Sequence, residues 1–420
     1  MKKIILICSF VVVIAIIISS VGSCSVCTNP THSKYFTEDG TAVLDSASAK
    51  DSFRIENPSS VHFFMESSGS MNGFLRGGVP TDFKSDLWEI INYYSNLVSA
   101  VSVLSSDGGS TKSVDLPVAQ FQNPLNGGGF LSAQSTNLCE MLDSVIHNID
   151  ASKNEVAVFV SDMEYDPVGA VAPNVLQSVY STDVATLLSN FGYSASLVAA
   201  KSNSVNKEGT SVVSGRPYYY LILGKPECVA DTRNKISYLL NSNGHFIDNI
   251  ETGFNYGKVP YTLGNFVGCT QVSHDPSLAS ISDAGCSFDI KVKLENYRWI
   301  LTTDPKVLKD AFKIKSLNGA RVKIDSISYE VSDVTSDKQL QRDVTANIRV
   351  SVESMPMDCD ILVWNIDVPY TDISKFAPYF TDTPNSMQQT YSIKEFIIGM
   401  FRASLVCNRG GDNYIHISKK

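Results

Sequence analysis

The sequence predicts a mixed α/β protein in two parts. A doubly wound domain with parallel strands comes first, then an all-β, sandwich-like module, closed by a terminal helix. Three observations carry that expectation. Short apolar runs at 61–65, 155–160 and 218–223 alternate with stretches of helical period between residues 60 and 243. That is the pattern of strands covered on both faces and joined by crossover helices. From about 245 the pattern switches to strict alternation, at Phe288, Ile290, Val292 and Leu294 and again at Val344, Ala346, Ile348, Val350 and Val352. Such alternation predicts antiparallel strands with one wet face. Near the end, Ser392 and Glu395 have capping-box spacing ahead of Phe396, Ile397, Met400, Phe401 and Leu405, which predicts one more helix.

Taken in order, the chain opens on Lys2-Lys3, an apolar stretch from Ile4 to Ile18, and the small-residue run Ser19-Ser20-Val21-Gly22-Ser23-Cys24. A basic start, an apolar core and a small-residue cleavage zone predict an export signal over 1–23, not a spanning helix. Val-Gly-Ser-Cys resembles a bacterial lipoprotein processing box, which implies lipidation at Cys24. The expected location is therefore the bacterial cell envelope, lipid-anchored, with the outer membrane as the expected bilayer. Residues 24–57 are polar and read as a tether, with one short strand near Phe53-Arg54-Ile55.

The α/β domain is expected over 58–244. After a first strand, Leu87, Ile90, Ile91, Tyr94, Leu97, Val98 and Val101 have helical spacing, so a helix is predicted over 85–104. Residues 105–134 read as a Gly-, Ser- and Asn-rich connection. Its Gly127-Gly128-Gly129 is not a phosphate loop, because no Lys-Ser or Lys-Thr follows. A helix begins near Ser135, with Leu138, Met141, Leu142, Val145 and Ile146 inward, and Ser135 or Thr136 as its cap. Another helix is expected over 183–190. Strands at 196–200 and 218–223 follow, separated by a polar loop, 201–215, that can lie over a site. Asp231-Thr232 read as the cap of a helix holding Ile236, Leu239 and Leu240. The β module is expected over 245–375, with Asp304-Pro305 starting a short helix inside it. Residues 376–420 give the last helix, docking back on the α/β domain, and a final strand at 414–417.

Bulk properties narrow the function. A hydrophobic content of 43% over 420 residues supports real cores and two domains. A net charge of −9, with no basic run, argues against nucleic acid as the main partner. Of nine cysteines, Cys8 leaves with the signal and Cys24 carries lipid. A Cys269–Cys286 bridge is compatible with an oxidising compartment, whereas Cys139 and Cys359 read as buried fillers.

The candidate site is where strand 61–65 runs into Glu66-Ser67-Ser68-Gly69-Ser70. Ligands of open α/β sheets gather where strands reach their carboxyl ends. Glu66, Ser68 and Ser70 alternate along that loop, Thr136 opens a later helix, and Asp162 follows the second buried strand beside Ser161. Glu164 and Asp166 come just after. In order and spacing these segments resemble the von Willebrand factor A domain and its metal-ion-dependent adhesion site, over roughly residues 60–225. The resemblance implies that Glu66, Ser68, Ser70, Thr136 and Asp162 hold Mg²⁺ (or Mn²⁺ or Ca²⁺), and that an acidic side chain of a protein partner completes its coordination. The family has Asp where this chain has Glu66. The extra methylene displaces the carboxylate by about 1.5 Å, the rise of one helical residue, which is large for Mg²⁺ geometry.

The expected function is thus a lipid-anchored envelope protein that binds a protein partner through a cation site, and not an enzyme. The alternative is a metal-independent structural subunit of an envelope assembly. A metal-assisted hydrolase using Glu66, Asp162 and Glu164 ranks last, because no activating histidine or charge stabiliser sits beside them.

Overall fold

The structure, a computed structural model, describes residues 53–107, 110–132, 135–165, 173–206, 209–272, 277–282, 284–295, 297–336, 339–367, 373–383, 386–403 and 411–419. The export signal, Cys24 and the tether up to residue 52 lie outside the described residues, as does Asp166.

The larger sheet has seven strands, β1 (Ser60–Glu66), β2 (Ala100–Asp107), β3 (Ser110–Pro117), β4 (Glu155–Ser161), β5 (Ser194–Val205), β6 (Val212–Gly224) and β7 (Phe246–Thr252). Their spatial order is β3-β2-β1-β4-β6-β5-β7. Around them lie α1 (Asn72–Leu75), α2 (Asp82–Tyr93), α3 (Val118–Gly127), α4 (Leu138–His147), α5 (Pro173–Phe191) and α6 (Pro226–Ser242). The mixed α/β architecture is present, but only β2-β1-β4 are mutually parallel. The expectation of an all-parallel sheet is corrected on both flanks. β3 folds back on β2, and β4, β6, β5 and β7 pair antiparallel. Between β5 and β6 the reason is local. Asn206 accepts from the backbone of Thr210 at 2.8 Å and of Ser211 at 3.1 Å, and Gly209 takes a φ of 70°. That closes a tight hairpin, and a hairpin enforces antiparallel pairing where a parallel return needs a long crossover. The segment 201–215 is therefore mostly strand.

Other expectations shift for similar reasons. The helix predicted over 85–104 stops at Tyr93, and Val101 and Val103 face the core from β2. The 105–134 connection contains β3 and α3, the latter ending on Gly128 at φ 78°. Asp231 and Thr232 lie inside α6 and do not cap it. Phe53 belongs to no strand, but it is buried against Phe254 and Tyr256.

The second part holds two sheets. β8 (Tyr261–Val267), β11 (Cys286–Lys293), β13 (Arg321–Ser336) and β14 (Gln339–Ser354) form one, in the order β13-β14-β11-β8. The other consists of β9 (Thr270–Gln271), β10 (Ser277–Ala279), β12 (Phe312–Ser316), β15 (Cys359–Ile366) and β18 (Asn413–Ser418), in the order β12-β15-β18-β10-β9. All but the β10–β18 pairing are antiparallel. Val344, Ala346, Ile348, Val350 and Val352 point inward, as their alternation requires. The last four share one core with Leu362, Trp364, Ile415 and Ile417 of the other sheet. Two short helices, α7 (Trp299–Thr303) and α8 (Pro305–Ala311), bridge strands, with Asp304 capping α8.

A two-residue pair, β16 (Phe380–Thr381) and β17 (Thr390–Tyr391), precedes the last helix, α9 (Ile393–Ala403). Ser392 sits at φ 63°, so the expected capping box is not made. Helix α9 packs on α5 and buries Ile393, Phe396, Ile397 and Met400 with Leu197, Tyr219 and Leu221 of the large sheet. Gly399 permits the approach, since a Cβ there would stand 2.8 Å from the Ser181 carbonyl.

Candidate functional site

The five residues singled out in the sequence meet at one edge of the large sheet, where β1 and β4 end. β1 carries Phe63, Phe64 and Met65 into the core and releases Glu66 at its last position, opposite Leu104 of β2. The chain then turns, with the Ser67 amide on the Leu104 carbonyl at 2.7 Å and the Ser67 hydroxyl on the Phe130 carbonyl at 2.7 Å. Asn72 bonds Ser132 in both directions, through its Nδ2 to the carbonyl (2.5 Å) and from the Ser132 amide (2.9 Å). This tie holds the segment before Thr136 against the first loop. Asn137, not Ser135 or Thr136, caps α4 by accepting from the Glu140 amide. Thr136 is thereby left for the site.

Hydrogen bonds run through the cluster. The Thr136 hydroxyl donates to Glu66 Oε1 at 3.0 Å, and the Ser161 hydroxyl bonds Glu66 Oε2. Ser68 and Ser70 bond each other at 2.9 Å, and Ser70 donates to Asp162 Oδ1 at 3.1 Å. The loop after β4 reverses at Met163, whose φ of 56° is left-handed and costs about 1–2 kcal/mol for a residue with a Cβ. Its amide donates to the Ser161 hydroxyl at 2.6 Å.

One residue of the site, Arg216, has no mark in the sequence. Its Nη2 donates to Asp162 Oδ2 at 2.9 Å and lies 3.9 Å from Glu164, and the guanidinium stacks 4.7 Å from the Phe74 ring centre. Strand direction puts it there. Ser161 pairs with Tyr219, so the antiparallel β6 overshoots the end of β4 and delivers Arg216 above the site. In the parallel sheet expected from sequence, the same residue would sit at the opposite edge. The three tyrosines that follow, Tyr218 to Tyr220, carry the strand signal, and nothing adjacent to Arg216 marks its role.

The cluster is dry. Glu66 and Ser68 have no exposed surface, and Asp162, Thr136 and Arg216 are buried. Burial, and then the Asp162 charge, push the Glu66 carboxyl up to about 8. Burial also raises Asp162, against the lowering pull of Arg216. Of these two carboxyls only Asp162 reaches the Arg216 guanidinium. Glu66 is therefore the one that holds a proton near neutrality, and Asp162 the one that pairs as an anion.

A divalent cation does not fit this arrangement. Both Glu66 oxygens are engaged by hydroxyls, and both Asp162 oxygens by Ser70, the Glu164 amide and Arg216. Mg²⁺ asks for near-octahedral oxygen ligands at about 2.0–2.1 Å, whereas these groups face one another.

Beside the cluster opens a cleft of about 700 Å³, lined by Asn137, Cys139, Glu140, Asp143, Tyr165 and Asp183 among others. Asn137 and Tyr165 belong to the same loops as Thr136 and Glu164, so cleft and cluster adjoin. Burial, with the nearby Asp183 and Glu140 charges, pushes the Cys139 thiol up to about 12, which makes it a poor nucleophile.

Cys269 and Cys286, named as a candidate bridge, lie far from this edge. Both are free thiols, and their side chains hydrogen-bond to each other.

No protein-family model, no curated protein and no solved structure matches this chain.

Proposed function

We propose that this chain is an envelope-anchored structural subunit whose α/β part is a rigid platform for a protein partner, bound over the edge where β1 and β4 end. The observation that supports it most is the convergence of three distant loops into one closed hydrogen-bonded cluster at that edge, next to an open cleft. A platform needs its surface loops fixed in place, and these are fixed from beneath by paired polar groups. The rim carries carboxylates. Glu164 is partly exposed, and Glu140, Asp143 and Asp183 line the cleft. Charge complementarity then favours a basic segment on the partner. Anchoring through Cys24 comes from the sequence at 21–24 and belongs to the same proposal.

The second reading is the cation-completed contact with an acidic partner side chain, through Mg²⁺ at Glu66, Ser68, Ser70, Thr136 and Asp162. The meeting of those five residues favours it, and the engagement of their oxygens weighs against it. A hydrolase is less well supported, since the groups of the cluster are spent on each other and a water activator is not among them.

Affinity capture from solubilised envelopes tests the platform reading, with wild type set against Asp162→Ala and against the double change Glu140→Lys, Asp183→Lys. The expected result is a partner held by wild type, weakened by salt, and lost from both variants. A partner retained equally by all three proteins would place its binding surface elsewhere.

A further inference from the structure

The expected cation site and the observed geometry part at the guanidinium of Arg216. It pairs with Asp162 at 2.9 Å, stands 3.9 Å from Glu164, and its side chain is only 6% exposed. Phe74 covers it from one side. Room for it is built into the chain. At Gly73 in α1, a Cβ would come within 2.8 Å of Arg216 Nη1 and 2.7 Å of the Val205 carbonyl. Any side chain at 73 closes the slot in which the guanidinium sits. A divalent cation on the same carboxylate would meet a like charge a few ångströms away, in surroundings too dry to screen it.

We propose that Arg216 takes the place of the divalent cation. Seated in the slot left by Gly73, it supplies the fixed positive charge that ties the loop after β4 to β6, and the convergent loops close without metal. The inference rests on reading these loops as the platform edge, but the two fail separately. Metal binding by the wild type would overturn the role of Arg216 and leave partner capture as it is. A failed capture would say nothing about the guanidinium.

The experiment uses the full mature chain, with Mn²⁺ titrated by calorimetry and by electron paramagnetic resonance, and melts in Mg²⁺, Mn²⁺, Ca²⁺ and EDTA. Wild type should show no saturable Mn²⁺ site, and the same midpoint in EDTA and in millimolar Mg²⁺. Arg216→Ala should melt lower in EDTA and recover several degrees in Mn²⁺, with one saturable Mn²⁺ site that wild type lacks, because a ligand of the native state alone raises its midpoint. Gly73→Ala, which crowds the guanidinium without deleting its charge, should lower the midpoint equally in Mg²⁺ and in EDTA. One saturable Mn²⁺ site per wild-type chain, lost in Asp162→Asn, would overturn the proposal. So would a folded Arg216→Ala protein indifferent to all three cations. If Arg216→Ala does not fold, the wild-type titration decides.

Discussion

Glu66 has both carboxyl oxygens taken by hydroxyl groups and none of its surface in water, and this makes it the most pH-sensitive residue of the cluster. Its folded value, about 8, lies above the ordinary 4.5, so the native state binds a proton that the unfolded chain gives up. The stabilisation is fully present below pH 4.5 and is lost progressively as pH rises to 8, by an amount of order a few kcal/mol. The wild-type midpoint should therefore fall across that window, and Glu66→Gln, neutral at every pH and similar in shape, should flatten the fall. Parallel slopes in the two proteins would show that the proton is held elsewhere. At this scale the sequence was informative where chemistry is carried by motif order. Glu66, Ser68, Ser70, Thr136 and Asp162 do meet, although they are 96 positions apart at their extremes. It was silent on Ser161 as a ligand of Glu66 and on Arg216. A lone arginine ahead of a tyrosine run has no local signature, and its partner is chosen by strand direction.

At the scale of elements, burial on one face or two decided what could be read. β14 alternates because one of its faces is wet, and its inward positions from Val344 to Val352 are legible residue by residue. β3 is an edge strand with nearly every side chain exposed, so it has no periodic signal and reads as a loop. Helix α2 and β2 merged into one predicted helix because Leu97, Val98 and Val101 happen to continue the helical spacing past the turn at Tyr94. The Cys269–Cys286 pair belongs to this scale, since a bond there would staple the end of β8 to β11. Cys269 is the less buried thiol, and its hydrogen bond from Cys286 pulls it below the ordinary range, while the same bond raises Cys286. Cys269 is thus the attacking group. With oxidised glutathione, its thiolate should form a mixed disulfide and release one glutathione. Cys286 should then displace the second, which leaves an internal bond and a mass lower by about 2 Da. Closing so short a loop contributes about 3 kcal/mol by chain entropy, visible as a midpoint a few degrees higher. Cys269→Ser should abolish both changes. An unchanged thiol count after exposure to the oxidant would show that the pair cannot reach bonding geometry.

For the whole molecule, the question is whether two units fold or one. A boundary at 244 follows from the change of hydrophobic period, and the structure crosses that line repeatedly. β7 completes the seven-stranded sheet beside β5, although it follows the boundary. Buried Arg233 of α6 pairs with Glu251 of β7, which also accepts from the Tyr256 hydroxyl, and Tyr256 stacks on Tyr297 at 4.4 Å. Arg298, with no exposed surface, reaches Asp248 of β7 at 3.3 Å. Phe53, ahead of the first strand, packs on Phe254 and Tyr256, and α9 covers the face of the sheet that α5 leaves open. Period-2 and period-3.6 signals mark which elements exist, but they carry no information about which sheet a strand joins, and so β7 was assigned to the wrong side. A chain ending at residue 244 would lose β7 and α9 together, with the Glu251 carboxylate that pairs with Arg233 and the Phe254 ring that covers it, and would open the β5 edge and the apolar face under α9 to water. The 53–244 fragment should therefore show no cooperative melt and should bind a hydrophobic dye, whereas the intact chain should unfold in one calorimetric transition whose measured enthalpy matches the van't Hoff value. A fragment that melts cooperatively at the midpoint of the whole would mean that the contacts across residue 244 are accessory, and that the platform is the α/β part alone.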